Sequence, residues 1–129
     1  MQNTLSNIFK IIYLFSLIIF LIIYLYPGSI IGYIFYGDIR IQPDLIENPM
    51  GTSINHILAF TYIASIALLT SSKKGIKTTI LFFLLLSIFL ELTHLFIPYR
   101  SFEVLDLIAN LIGTMISFFI LLLLKKFKR

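Results

Sequence analysis

The stretch Ile76-Lys77-Thr78-Thr79-Ile80-Leu81-Phe82-Phe83-Leu84-Leu85-Leu86-Ser87-Ile88-Phe89-Leu90-Glu91-Leu92-Thr93-His94-Leu95-Phe96-Ile97-Pro98-Tyr99-Arg100-Ser101-Phe102-Glu103-Val104-Leu105-Asp106-Leu107-Ile108-Ala109-Asn110-Leu111-Ile112-Gly113 decides the fold. It opens with an apolar run, residues 76–96, long enough to cross a bilayer, which takes about 20 largely apolar residues in helical form. Pro98 stops that run, and a second one extends over residues 102–124. A soluble amphipathic helix would show a polar face, and neither run has one. Lipid offers no partner to a free backbone N–H, so both runs must be helices. A short turn joins them, which makes them an antiparallel pair.

Working outward, two further runs qualify as spans, residues 8–26 and 54–70. The chain therefore reads as a single all-α domain over residues 1–129. It is a polytopic membrane protein with four transmembrane helices in an antiparallel bundle. Composition agrees: 59% of the 129 residues are hydrophobic, and the mean hydropathy is +1.00, too apolar for an ordinary soluble globule. The first run has Lys10 near its start but no Ala-x-Ala-like site after it, so it reads as an uncleaved span rather than a signal peptide. There is no cysteine, which excludes disulfides, thiolate nucleophiles and cysteine metal sites. The sequence has no glycine-rich phosphate loop and no His-Glu-x-x-His helix, and no cofactor or metal is expected.

The net charge of +4 comes from basic residues beside the apolar runs, which points to topology and anionic lipid headgroups rather than nucleic acid. Lys10, Lys73, Lys74, Lys77, Lys125, Lys126, Lys128 and Arg129 all fall on one side of a four-span chain, and only Arg40 and Arg100 on the other. The positive-inside rule then makes both termini cytoplasmic. The loop 27–53 and the turn at Pro98-Tyr99-Arg100 are expected outside. That loop, with three prolines and four glycines, reads as irregular, either a solvated connector or a lid, with its apolar piece 30–36 resting in the interface.

This orientation gathers the polar groups at the outer ends of the spans. Asn55 and His56 open the second, Glu91 and His94 close the third, and Glu103, Asp106 and Asn110 open the fourth. Glu91 and His94 share a face at i, i+3. Asp106, Asn110, Gly113 and Ser117 form a stripe whose small members let a neighbouring helix approach. Ionisable groups in a bilayer cost about 2.5–3.5 kcal/mol each at the centre of a helix on insertion scales, which makes such a set the default functional site. Plainer readings stand beside this one. Glu91 and Arg100 can form a structural ion pair, Asp106 can cap the fourth helix, and Asn110 can bond a neighbouring span. Tyr99 can anchor at the interface and Pro98 can simply end the helix.

Glu91-x-x-His94-x-x-x-Pro98-x-Arg100, followed by Asp106, Asn110 and Gly113, resembles the signature of the VanZ-like integral membrane proteins. That signature runs Glu-x-x-Gln, Pro-x-Arg and Asp-x-x-x-Asn-x-x-Gly over the last two spans, with a His followed by a Phe early in the second span, as His56 and Phe60 stand here. His94 departs from the usual Gln, and Thr52-Ser53 from an Asp-Lys pair carried by many members. The resemblance implies a bacterial cytoplasmic-membrane protein with a cell-envelope role. The family's named member is associated with low-level teicoplanin resistance.

Residues and resemblance together lead to the expectation of a protein that binds or modifies an envelope lipid or lipid-linked precursor at the outer leaflet. Arg100 would hold a phosphate through its planar fork. Glu91 and Asp106 would position it or act as acid and base, and His56 or His94 would transfer protons. Asn55, Asn110, Tyr99, Pro98 and Gly113 would bind or support. Two other classes stay open. One is a non-enzymatic accessory or scaffold with a membrane-protein partner. The other is a metal-dependent enzyme built on Glu91, His94, Asp106 and His56, although a di-iron bundle would need a second Glu-x-x-His segment.

The absence of native cysteine makes the orientation directly measurable. Asp44→Cys should react with a membrane-impermeant maleimide on intact cells, and Ser72→Cys only after permeabilisation; the reverse pattern would invert the topology.

Overall fold

The computed structural model describes residues 2–127. Its helices in chain order are α1 (Gln2–Leu25), α2 (Ile30–Tyr36), α3 (Ser53–Thr70), α4 (Ile76–Thr93) and α5 (Val104–Phe127). There is no strand among the described residues. Four segments are long and apolar enough to cross a membrane, Ser6–Leu25, Ser53–Thr70, Ile76–Thr93 and Val104–Lys126. The protein is thus an all-helical, multi-pass membrane protein, as its hydropathy demands.

Boundaries differ from the hydropathy reading in three places. α1 starts at Gln2 rather than near residue 8, because the polar residues ahead of the apolar run continue its helix. α4 ends at Thr93 instead of 96, and α5 begins at 104 instead of 102. Beyond Thr93 the chain tightens into i to i+3 turns, with Leu95 and Phe96 N–H donating to the Leu92 and Thr93 carbonyls. Pro98 disfavours helix in the residue before it. The third difference is α2, which replaces part of the expected irregular loop. Ser29 Oγ caps its start by accepting the Gly32 N–H at 2.9 Å. Gly37, in the left-handed region at φ 69°, closes its end with an N–H bond to the Tyr33 carbonyl. Gly32 lacks a Cβ where the Ile41 carbonyl passes, so the 38–41 segment lies directly on α2.

The spans alternate in direction. Ser16 bonds Tyr62 and Tyr24 meets His56, so α1 runs antiparallel to α3. Ser53 meets Asp106 and Thr61 meets Gly113, so α3 runs parallel to α5, and these two share the most extensive helix contact. The sequence neighbours α4 and α5 share a smaller contact than α3 and α5. The α3–α5 seam is made by small and hydroxylic residues. A Cβ at Gly113 would lie 2.6 Å from the Ile57 carbonyl oxygen. Ser117 Oγ donates to the Thr61 carbonyl at 2.8 Å. Such residues suit a bilayer, where lipid tails remove the hydrophobic drive between helices and close packing and polar contacts take over. The stripe of Asp106, Asn110, Gly113 and Ser117 is buried throughout. An apolar cluster of Tyr24, Phe60, Ile63, Ala64, Ala67, Phe83 and Leu90 fills the centre.

Gly113→Ala must push backbone against backbone, and overpacking of this kind costs about 1–3 kcal/mol. The expected result is a lower unfolding temperature in detergent than wild type; an unchanged midpoint would mean that the seam is looser than described.

Candidate functional site

The site lies where α1, α3, α4 and α5 meet, at the end of the bundle that carries α2. Its centre is the phenol of Tyr24, in the last turn of α1. Tyr24 Oη donates to Glu91 Oε2 on α4 at 2.8 Å and accepts from Asn110 Nδ2 on α5 at 2.7 Å. It also stands 3.2 Å from His56 Nδ1 on α3. His56 Nδ1 is 3.1 Å from Asn110 Oδ1, and its Nε2 is 3.3 Å from Asp106 Oδ2. Asp106 Oδ1 accepts from Ser53 Oγ at 2.6 Å. On the other side His94 stacks on the Tyr24 ring, 4.8 Å between centroids. Glu91 and Asn110 are fully buried, both at 0% exposure. Among the described residues Ser65 Oγ is the one fully buried side-chain polar atom without a partner, so the cluster itself is satisfied.

The hydrogen bonds constrain the protons. His94 Nε2 lies 3.2 Å from the Tyr24 carbonyl, which only accepts, so Nε2 carries a proton. His94 Nδ1 lies 3.3 Å from Glu91 Oε1, and one proton must sit between these two atoms. Glu91 Oε1 also accepts the Glu103 N–H at 3.1 Å. His56 obeys the same logic. Its Nδ1 faces Asn110 Oδ1, since the amide nitrogen is committed to Tyr24, and its Nε2 shares a proton with Asp106. Each carboxylate is thus paired with one histidine. An unbroken path, Ser53–Asp106–His56–Tyr24–Glu91–His94, joins the two pairs, an arrangement able to pass a proton between α3 and α4.

The remaining residues expected at the site take other places. Arg100 does not pair with Glu91. Its Nη2 donates to the Ile23 carbonyl at 3.3 Å, and Nε makes a long 3.5 Å contact with the Tyr26 carbonyl. Burial pushes its guanidinium below the ordinary value, with Tyr24, Glu91 and Asp106 acting in the opposite sense. Asp106 does not serve as a side-chain cap of α5; its carboxylate turns across to α3. Asn55 points away from the cluster, where its amide accepts from Leu45 N and donates to the Pro43 carbonyl, tying down the long connector. Pro98 contributes its carbonyl to Gly28 N–H at 3.1 Å, joining the two connectors. Tyr99, at φ 60°, lies under the Arg40 guanidinium, 5.4 Å from centroid to carbon. Gly113 belongs to the α3–α5 seam. As for a metal centre, among the described residues no three His, Asp or Glu side chains stand so as to hold an ion, because Tyr24 separates the two acid–histidine pairs.

Sequence reasoning missed Tyr24 and Ser53. The available signal was faint: one of several aromatic residues in an apolar run, three residues before Pro27.

A cavity of about 340 Å³ opens beside the cluster, between α1 and α3. Its apolar wall includes Ile19, Phe20, Ile23 and Ala59, and its polar end includes Tyr24, His56 and Arg100. The outer wall is made by Ile30 and Ile31 of α2 and by Pro43 and Leu45 of the connector that Asn55 holds. This volume sits at the low end of small-molecule sites, which run from about 300 to 1,000 Å³.

A four-span bundle with an acid–histidine cluster buried at one end defines a class of small helical membrane protein. Residues 2–125 match the VanZ/LLP1 family, and the chain belongs to it. No curated protein and no solved structure matches the chain.

Tyr24→Phe would remove the one oxygen that meets Glu91, His56 and Asn110, leaving buried polar atoms unpaired at a cost of about 1–3 kcal/mol. The midpoint of thermal unfolding in detergent should fall accordingly. A neutral effect would show that the cluster rearranges without its centre.

Proposed function

We propose that this protein binds a membrane amphiphile, an envelope phospholipid or lipid-linked precursor, in the cavity between α1 and α3, at the outer leaflet of a bacterial cytoplasmic membrane. The observation that carries this reading is the cavity's polarity. An apolar wall contributed by two spans leads to Tyr24, His56 and a half-buried Arg100. Arg100 gives two of its N–H groups to backbone carbonyls and keeps the others for an anion, since a guanidinium has five donors. Its partial desolvation strengthens its attraction for phosphate. The apolar wall suits an acyl or prenyl chain. His56 lines the cavity beside Tyr24 and links it to the hydrogen-bonded path.

A non-enzymatic accessory or scaffold role is the second reading. It is favoured by the fully satisfied state of the cluster, in which every carboxylate oxygen of Glu91 and Asp106 is engaged within the protein.

Native mass spectrometry of the purified protein, reconstituted with defined phospholipids, separates the two. Wild type should retain an anionic phospholipid, and Arg100→Ala should bind it about tenfold more weakly, corresponding to about 1.4 kcal/mol, while keeping its helical circular dichroism. Equal binding by the two proteins would refute the cavity as the site. In a bacterial host, wild type is expected to lower teicoplanin susceptibility and Arg100→Ala to lose that effect.

A further inference from the structure

α2 is tied to its neighbours at its start, yet its last turn presents apolar side chains that nothing in the chain covers. Tyr33, Ile34, Phe35 and Tyr36 are 60%, 69%, 73% and 61% exposed. The helix is not a loose tether. Ser29 and Gly37 close its two ends. Ser29 N–H donates to the Ile39 carbonyl at 2.7 Å, fastening the following segment across it. Gly28 N–H donates to the Pro98 carbonyl and so ties the approach to α2 to the turn between α4 and α5. The start of this seven-residue helix is bonded to other segments, while the four large apolar residues of its last turn stay bare.

We propose that the exposed last turn of α2 docks in the interfacial layer of the bilayer and holds the cavity level with the lipid headgroups. The continuity of the chain selects lipid as the occupant. α2 begins five residues after α1 ends, and its approach is bonded to the place where the fourth helix has also ended. It therefore starts at the depth where two spans leave the hydrocarbon. The bare apolar surface of those spans continues past it, with Phe96 85% exposed and Tyr99 54% exposed on the adjoining turn. Tyrosine, with an apolar ring and a polar tip, is the residue type enriched at this depth. The first turn of α2 contributes Ile30 and Ile31 to the cavity wall. One short helix therefore lines the cavity with its first turn and offers its last turn to lipid.

The chain contains no tryptophan, so a single introduced indole reports its own depth. Phe35→Trp, reconstituted in phosphatidylcholine vesicles, should emit at blue-shifted wavelength. It should be quenched more by lipids brominated near the headgroup end of the acyl chain than by lipids brominated near its tip. Phe15→Trp, exposed in the middle of α1, should show the opposite order and serves as the deep reference. If Phe35→Trp misfolds, Tyr36→Trp gives the same reading. Emission typical of water with strong acrylamide quenching would overturn the proposal. So would blue emission untouched by any bromolipid, which means coverage by a second copy or another protein. The measurement does not depend on any cavity ligand, so it can fail while amphiphile binding stands, and the reverse.

Discussion

One oxygen atom holds the polar end of this bundle together. Tyr24 Oη, carried by α1, touches side chains of α3, α4 and α5 at 3.2, 2.8 and 2.7 Å. In water such a junction would compete with solvent; in a bilayer the alternative is an unsatisfied polar group, and a hydroxyl that both donates and accepts becomes a natural junction. Around it the two carboxylates are never left alone. Each shares a proton with a histidine, which avoids placing isolated charge in a medium of low dielectric constant. The cluster is thus at once an adhesive and a possible proton path.

The four spans do not contribute equally. α3 and α5 form a tight unit, with Gly113 against the α3 backbone and Ser117 bonded to Thr61. α1 is more peripheral: 6% of its span is buried, against 39% for α3. Its attachment relies on Tyr24, on Ser16 with Tyr62, and on the Phe20 ring edge-on to Phe60. The cavity lies along this weaker seam rather than in the α3–α5 unit. The α1–α3 contact is smaller than the α3–α5 contact, and the cavity opens beside it.

The two departures from the VanZ-like pattern have structural roles. His94, where the pattern has Gln, uses both ring nitrogens, one on Glu91 and one on the Tyr24 carbonyl, and stacks on the Tyr24 ring. A glutamine amide offers a donor and an acceptor but no proton to share. Ser53, where many members carry a charge, supplies Asp106 with a neutral donor instead. In this chain each carboxylate therefore has a histidine among its partners.

The sequence by itself determined the four spans, because runs of leucine, isoleucine and phenylalanine of bilayer length have no other stable state in lipid. It also marked Glu91, His94, His56, Asp106 and Asn110 as a set, because such groups inside spans are costly. The helical stripe of Asp106, Asn110, Gly113 and Ser117 followed from periodicity alone. Only the tertiary structure decided who pairs with whom. Arg100 and Glu91 looked like natural partners by charge, yet Arg100 bonds the end of α1 and Glu91 bonds Tyr24 and His94. Asn55 looked like a cluster member, yet one helical position beside His56 turns its side chain to the connector. Tyr24 was only faintly marked in the sequence, since a tyrosine near a span end reads as an interfacial anchor. The sequence marked residues 30–36 as an apolar interfacial piece but not as a helix, because α2 is set by a serine cap, a left-handed glycine and contact with the 38–41 segment, not by periodicity. Hydropathy fixes where each helix lies along the membrane normal. The rotation of each helix, and hence every side-chain pairing, depends on its neighbours, which a single run of sequence does not contain.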